Sequence, residues 1–218
     1  MEITAVKPKI VIWDWNGTII DDADLCLAIE NELLYERGMP TITKAWYLAH
    51  FSFPIRAYYE IMGYTFEHES FEAVSEIFMQ RYRARFGDCP LRKGVTDVLK
   101  AIEKDCVRQT LLSLTQQDDL VAQANRFGVA PYFSEILGND DILGHSKVER
   151  AKSYIEQCGI DPKDALFVGD TDHDVEVANA VGCRCVLLEG GHQSRSVLLR
   201  CGVPVYASAE AFFRTVFG

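Results

Sequence analysis

An apolar stretch near the N-terminus ends on an acidic residue. Residues 10–13 read IVIW, Asp14 follows them directly, and Asn16, Gly17 and Thr18 come next. A buried strand that ends on a carboxylate can present it as a nucleophile or a metal ligand at the edge of a sheet. The amide at position 16 raises a second question, because an amide has no acidic proton to give and no useful basic lone pair.

Four further polar residues fall at the edges of predicted strands and helices. Ser113 ends one apolar run, Lys147 opens a helical pattern, and Asp170 and Asp174 follow another apolar run in the sequence VGDTDHD. Because parallel strands all end at one edge of their sheet, we expect these groups to converge with Asp14. Three ionised carboxylates in one place require a cation, and their oxygen atoms suit Mg²⁺. A carboxylate, a hydroxyl, an ammonium and a metal around one cavity are the parts of a phosphoryl-transfer site.

The elements that must position these groups alternate along the chain. Short apolar runs predict strands at Ile10–Trp13, Thr110–Ser113, Glu135–Gly138, Leu166–Val168, Arg184–Leu188 and, more weakly, Val203–Tyr206. Amphipathic patterns predict helices at Val95–Lys104, Asp118–Phe127, Lys147–Gln157, Asp174–Val181 and Ala209–Val216. Strands alternating with helices indicate an α/β fold with a parallel, Rossmann-like sheet.

The interval between the first two predicted strands is longer than a crossover requires, and it reads mostly as helix. Asp22 is a candidate N-cap for a helix that stops at Gly38, Pro54 and Gly63 bracket a second, aromatic-rich helix, and apolar residues at helical spacing from Phe71 predict a third. We therefore expect two units: a Rossmann-like catalytic core formed by residues 1–20 and 92–218, and an inserted α-helical cap at residues 21–91.

Four motifs in this order resemble those of the haloacid dehalogenase-like (HAD) hydrolase superfamily, in its phosphoglycolate-phosphatase-like branch with a helical cap. DWNGT at 14–18 resembles the first motif of that family, LLS at 111–113 the second, Lys147 the third and GDTDHD at 169–174 the fourth. The resemblance covers nearly the whole chain and implies a Mg²⁺-dependent phosphatase.

The resemblance also implies a role for each motif residue. Asp14 would attack phosphorus and form an aspartyl-phosphate, and Lys147 would balance the charge on Asp14 and the phosphoryl group. Ser113 would hydrogen-bond a phosphoryl oxygen, with Thr115 as the competing hydroxyl. Lys152 is the competing candidate for the role of Lys147. The loop and metal roles are as follows: Gly17 and Thr18 shape the loop around the phosphoryl oxygens, and the main-chain carbonyl of Asn16 binds Mg²⁺ with Asp14, Asp170 and Asp174.

Asn16 departs from the family pattern, in which a second Asp usually serves as general acid and base. Losing such a group typically costs about 10²–10⁴-fold in rate, whereas enzymes can accelerate phosphate-monoester hydrolysis by up to about 10²¹-fold. A working phosphatase therefore remains the main hypothesis. The alternatives are a turnover-impaired member of the fold that binds a phosphate ligand or a partner, and a receiver-type signalling domain phosphorylated on Asp14.

Two more residues are candidates for contact with substrate. Arg56 lies between aromatic residues of the predicted cap and could recognise the small anionic substrate that the family resemblance suggests. His192, in the loop GGHQS after the fifth strand, is placed at the active edge and is the first candidate to replace the missing acid, ahead of Asp172 and His173.

Composition narrows the possible partners and the compartment. The net charge of −10 disfavours nucleic acid and anionic membranes, so we expect a small phosphorylated metabolite as the partner. The N-terminal residues lack a secretory signal pattern, and seven scattered cysteines indicate reduced thiols in a cytoplasmic protein. The sequence leaves the natural substrate and the oligomeric state open.

Overall fold

The computed structural model describes residues 7–139 and 147–218 of the chain. Six strands form one parallel sheet in the order β3-β2-β1-β4-β5-β6. They are β1 (Ile10–Trp13), β2 (Arg108–Gln116), β3 (Glu135–Asn139), β4 (Ala165–Gly169), β5 (Arg184–Leu188) and β6 (Val205–Tyr206). The predicted α/β class and parallel, Rossmann-like sheet are confirmed.

The strand β2 is longer than the sequence indicated, because polar residues continue it at both ends. Gln109 is buried in the strand, where its side chain accepts a hydrogen bond from Nε1 of Trp13 at 3.1 Å and donates one to the carbonyl of Leu99 at 2.9 Å. A buried amide with both groups satisfied is tolerated in a sheet. These partners come from other segments, so the local pattern placed the start of the strand at Thr110 instead of Arg108.

Helices cover both faces of the sheet. They are α5 (Val95–Lys104), α6 (Gln117–Arg126), α7 (Lys147–Cys158), α8 (Asp172–Val181), α9 (Arg195–Leu198) and α10 (Ala209–Val216). Val11 and Trp13 pack in one apolar cluster with residues of α5, α6 and α10, while Ile10 and Ile12 pack in another with residues of α7 and α8. The alternating sides of β1 are both buried, which explains why its sequence is apolar throughout.

The segment between β1 and β2 is helical and has an apolar cluster of its own. Its helices are α1 (Ala23–Glu36), α2 (Lys44–His50), α3 (Ile55–Ile61) and α4 (Phe71–Arg85). Ile29, Leu33, Tyr58, Val74 and Tyr82 belong to this cluster. The helix α2 was absent from our sequence prediction, although Thr43 caps it by accepting a hydrogen bond from the backbone N–H of Trp46 at 3.1 Å.

The two ends of this helical segment lie side by side where it leaves the sheet. The backbone N–H of Asp21 donates to the carbonyl of Pro90 at 2.9 Å, and Ile20 forms an antiparallel bridge with Leu91. We keep the name cap for residues 21–91, and the two-unit division remains our interpretation. Residues 1–6 and 140–146 of the predicted core lie outside the described residues. In the described part of the chain, no helix has the length and apolarity to cross a membrane.

Candidate active site

A buried ion pair joins the end of β1 to the start of α7. Lys147 is 3% exposed, and its ammonium donates hydrogen bonds to Oδ1 of Asp14 and, at 2.8 Å, to Oδ1 of Asp174. Burial raises the pKa of Asp14 to about 8, because Lys147 compensates its charge only partly and Asp174 and Asp170 repel it. Burial disfavours the ammonium as well, yet the two carboxylates outweigh it and raise the pKa of Lys147. The cluster thus lacks positive charge.

Two more carboxylates complete an acidic cluster at the carboxyl end of β4. Asp170 accepts hydrogen bonds from the hydroxyl of Thr18 at 2.9 Å and from the backbone N–H of His192 at 2.7 Å. One oxygen of Asp174 accepts from the backbone N–H groups of Asp170 and Thr171, each at 3.1 Å, and from the hydroxyl of Thr171 at 2.8 Å. Asp174 therefore also caps α8.

The acidic cluster has the composition of a site for a hard divalent cation. Carboxylate oxygens of Asp14, Asp170 and Asp174 lie within 4.8 Å of one another, and all three residues are buried. Burial also raises the pKa of Asp170 to about 6, and the charge of His192 offsets this only partly. Both oxygens of Asp170 and both oxygens of Asp174 already accept hydrogen bonds, whereas Oδ2 of Asp14 accepts none from a described residue.

Gly17 allows the loop after β1 to approach this cluster. Its φ of +69° lies in the left-handed region, and a Cβ there would come within 2.3 Å of Oδ2 of Asp170 and 2.7 Å of Cδ2 of His192. A side chain at this position would displace one of these groups. The predicted role of Gly17 as a loop former has a steric reason here.

The side chain of Asp22 accepts hydrogen bonds in the interior, which the sequence did not indicate. Asp22 is the N-cap residue of α1, as predicted, but its side chain makes no capping hydrogen bond. Its side chain is fully buried instead. One oxygen accepts from the backbone N–H of Gly17 at 2.9 Å, and the other accepts from Nδ2 of Asn16 at 2.7 Å and from the hydroxyl of Tyr82 at 2.8 Å. Burial alone would raise the pKa of Asp22, but His192 and the hydrogen bonds from Asn16 and Tyr82 lower it overall.

The side chain of Asn16 is fully occupied by hydrogen bonds that join three parts of the molecule. Its Nδ2 donates to Asp22 and, at 2.9 Å, to the hydroxyl oxygen of Tyr82 on α4. Its Oδ1 accepts from the hydroxyl of Thr115 at 2.9 Å. We call Asn16, Asp22, Tyr82 and Thr115 the amide network. An ionised aspartate at position 16 could not donate to Asp22, which gives the departure from the family pattern a structural reason.

The two hydroxyls predicted for the second motif are linked to each other. Ser113 is buried, and its Oγ donates to the hydroxyl of Thr115 at 3.1 Å and accepts from the backbone N–H of Thr115 at the same distance. Both residues line the cavity described below. The competing ammonium of Lys152 is half-exposed and pairs with Glu149 at 3.9 Å, so Lys147 is the lysine that meets Asp14.

His192 lies at the boundary between core and cap. Its Nδ1 is 2.7 Å from the hydroxyl of Tyr47 on α2, and its Nε2 is 3.2 Å from Oδ1 of Asp22, an ion-pair contact without hydrogen-bond alignment. Burial favours the neutral ring, but the carboxylate of Asp22 outweighs it and raises the pKa of His192 to about 9. His173 also lines the cavity, whereas the carboxylate of Asp172 accepts a hydrogen bond from Gln193 at 2.8 Å and lies outside the lining.

Arg56 reaches the same cavity from α3. Its side chain is about half-exposed, pairs with Glu60 at 3.3 Å and lies over the ring of Phe66 at 5.0 Å. The arginine is therefore on the solvent side of the site and already has an acidic neighbour.

A cavity of about 350 Å³ separates the sheet edge from the cap. Its floor is formed by the predicted core residues Asp14, Asn16, Ser113, Lys147, Asp170 and Asp174. Residues of the cap close it from above, including Asp22, Glu30 and Tyr82, which sequence reasoning did not single out for the site. The acidic pair at 21–22 was visible in the sequence, but no local pattern shows that a carboxylate on a helix, such as Glu30, faces a cavity.

Comparison with known proteins places the chain in a family. The family model for haloacid dehalogenase-like hydrolases matches residues 11–188. Phosphoglycolate phosphatase 1 of Pseudomonas aeruginosa is 27% identical over 195 residues, covering 85% of this chain and 71% of that protein. The phosphoglycolate phosphatase of Pseudomonas fluorescens is 29% identical over 196 residues, with the same coverage.

Solved structures show the same fold at lower identity. The crystal structure of a predicted phosphatase from Clostridium acetobutylicum has a TM-score of 0.80 at 17% identity and covers 95% of this chain and 97% of that chain. A haloacid dehalogenase-like family protein from Streptococcus pneumoniae has a TM-score of 0.72 at 17% identity, covering 94% and 96% of the two chains. With a family model spanning residues 11–188 and all four motifs at one sheet edge, this chain belongs to the haloacid dehalogenase-like hydrolases.

Proposed function

We propose that this protein is a Mg²⁺-dependent phosphohydrolase that cleaves a small phosphomonoester through an aspartyl-phosphate on Asp14. The observation that carries the proposal is the buried contact of Lys147 with both Asp14 and Asp174 at the floor of the cavity. Membership of the hydrolase family supports it, as do relatives named phosphoglycolate phosphatase at 25–29% identity. The seven cysteines, all unpaired, are consistent with a cytoplasmic enzyme.

Asp14 is the nucleophile in this proposal. Its Oδ1 accepts from Lys147, and no hydrogen bond from another described residue occupies Oδ2, which can therefore attack phosphorus. The new acyl-phosphate bond forms as the bond between phosphorus and the ester oxygen breaks, and water then hydrolyses the acyl-phosphate. Lys147 offsets charge on the attacking carboxylate and the phosphoryl group. The hydroxyl of Ser113, which donates to Thr115 in the structure, would donate to a phosphoryl oxygen instead when substrate is bound.

The residues present fit a magnesium ion. Carboxylates of Asp14 and Asp170, the main-chain carbonyl of Asn16 and, directly or through water, Asp174 would hold it. When bound, Mg²⁺ supplies positive charge that neutralises the phosphate dianion and orients it toward Asp14.

The proton for the leaving alcohol needs another donor than residue 16. The amide of Asn16 has no acidic proton, and its hydrogen-bonding groups are committed to the amide network. We assign the role to His192, which lines the cavity and holds its proton at neutral pH because of Asp22.

Hydrolysis of 4-nitrophenyl phosphate tests the proposal, because its good leaving group needs little protonation. We expect turnover with Mg²⁺, loss of turnover after chelation, and recovery on adding Mg²⁺ back. Asp14→Asn should abolish turnover, since an amide cannot form the acyl-phosphate, while Asp118→Asn at an exposed position should leave it unchanged. Undiminished activity after chelation would refute the metal site, and substantial activity of Asp14→Asn would refute the nucleophile.

One observation favours the second candidate function, a member of the fold that binds a phosphate ligand without turning it over. Asn16 occupies the position of the missing acid, and the amide network joins its side chain to the cap residue Tyr82. Asn16 therefore has a structural role independent of catalysis. If purified protein binds inorganic phosphate with Mg²⁺ but does not hydrolyse 4-nitrophenyl phosphate, this candidate replaces the first.

A further inference from the structure

The cap contributes a buried carboxyl group that the proposed chemistry does not use. Glu30 on α1 is 4% exposed and lines the cavity. Its Oε2 accepts a hydrogen bond from the hydroxyl of Tyr58 at 2.8 Å, and no lysine or arginine among the described residues forms an ion pair with it. Burial raises the pKa of Glu30 to about 8, although Tyr58 and His192 act in the opposite direction. A carboxyl group buried without a counter-ion is free to pair with a cation brought by a ligand.

The cap side of the cavity that Glu30 lines is rich in aromatic rings. Six rings of the cap line the cavity: Phe51, Phe53, Tyr59, Phe71, Phe78 and Tyr82. Aromatic rings attract cations through their negative faces, and they tolerate the methyl groups of an alkylated ammonium that ordinary carboxylate sites leave in water. Rings together with one carboxylate form the chemical environment that recognises alkylammonium groups.

The charges of the cavity also disfavour a second anionic group on the substrate. Five carboxylates line it, namely Asp14, Asp22, Glu30, Asp170 and Asp174, against the basic residues Lys147 and Arg56 and two histidines. Lys147 is held by Asp14 and Asp174, and Arg56 is half-exposed beside Glu60. A cation brought by the substrate would favour the ionised form of Glu30, whereas a substrate carboxylate beside it would favour the protonated form and would find no lysine or arginine paired there among the described residues.

We propose that the phosphomonoester bound here carries an ammonium or alkylammonium group on its alcohol part, seated between Glu30 and the aromatic wall while its phosphate lies at Asp14. This specificity rests on the phosphatase function proposed above. It departs from the small anionic substrate suggested by the family resemblance, because the cap of this chain offers the substrate an aromatic wall with a buried acid. The products are inorganic phosphate and an amino alcohol.

Three phosphate esters of similar size test the proposal with the full-length protein and Mg²⁺. Choline phosphate has a trimethylammonium end, 3,3-dimethylbutyl phosphate is its uncharged carbon analogue, and 3-phosphooxypropionate ends in a carboxylate. We expect kcat/KM for choline phosphate to exceed that of the uncharged analogue at least tenfold and that of the carboxylate ester by more. Glu30→Gln should lower the preference for the ammonium ester at least threefold, whereas Glu76→Gln, exposed on α4, should not change it.

A binding measurement keeps the test independent of turnover and of the variant. Tetramethylammonium should bind the wild-type protein with Mg²⁺ at least tenfold more tightly than tert-butanol. Equal binding of the two, equal kcat/KM for the ammonium and uncharged esters, or an unchanged preference in Glu30→Gln would overturn the proposal. A preference for the carboxylate ester that Arg56→Gln removes would overturn it in favour of an anionic substrate. Loss of 4-nitrophenyl phosphate hydrolysis alone would count against the phosphatase function and not against this site.

Discussion

Replacing Asn16 by aspartate restores the acid of the family pattern but places it against Asp22. The amide nitrogen of Asn16 lies 2.7 Å from Oδ2 of Asp22, and in Asn16→Asp an oxygen takes its place. At that distance two unit charges repel by about 6 kcal/mol if the effective dielectric constant is about 20, and this corresponds to roughly 4 pKa units. His192, 3.2 Å from the other oxygen of Asp22, offsets part of the repulsion.

The new carboxyl pair should therefore retain one proton at neutral pH. Its pKa in the folded state is raised from the ordinary aspartate value of about 3.9 to about 8, while the unfolded chain keeps the ordinary value. A group whose pKa is raised on folding binds more protons in the folded state. The free energy of unfolding of Asn16→Asp, relative to wild type, should therefore fall as pH rises from about 4 to about 8.

The exchanged variant Asn16→Asp/Asp22→Asn is the matched control. Each hydrogen bond between positions 16, 22 and Tyr82 can be remade in the opposite direction, because the amide introduced at position 22 would donate to the carboxylate introduced at position 16. Urea unfolding at pH 5.5 and 8.5 should show a strongly pH-dependent loss of stability for the single variant and a much smaller one for the exchanged variant. If the single variant is as stable as wild type at both pH values, the contact between Asn16 and Asp22 is not made in solution and the reasoning fails.

Three other predictions follow from the site. His192→Ala should slow the hydrolysis of alkyl phosphates more than that of aryl phosphates, by up to about 10²–10⁴-fold. In the wild-type protein, the rate with alkyl phosphates should fall as pH rises through about 9. Equal slowing of both esters, or an effect of the exposed control His68→Ala, would argue against His192 as the proton donor. Gly17→Ala should lower the free energy of unfolding, measured in urea, by more than about 1 kcal/mol and should weaken activation by Mg²⁺, because residue 17 has a positive φ and a Cβ there would meet Asp170. An unfolding free energy and a Mg²⁺ activation equal to those of the wild type would contradict this loop geometry. Tyr82→Phe should cost about 1–3 kcal/mol of stability, since both Asn16 and Asp22 lose a partner, and Tyr35→Phe, 78% exposed, should cost almost nothing.

The sequence by itself determined the sheet and the floor of the site. An uninterrupted apolar run such as residues 10–13 has few alternatives to a strand buried on both faces, and a polar residue at its end must lie at the sheet edge. That regularity is local in the chain, so it predicted Asp14, Ser113 and Asp170 at one edge of the sheet, and Lys147 was predicted there as the first residue of the helix before β4. The predicted haloacid dehalogenase-like family is confirmed by the family model.

Only the tertiary structure decided what the polar side chains contact. Asp22 had the sequence position of a helix cap, but packing of α4 against α1 brought Tyr82 to it from 60 residues away, and the loop after β1 brought Asn16. Glu30 looked like one more polar residue on a helix until the cap helices enclosed it beside Tyr58. Propensity and periodicity act over a few residues, whereas desolvation and hydrogen-bond partners depend on segments that are distant in the chain.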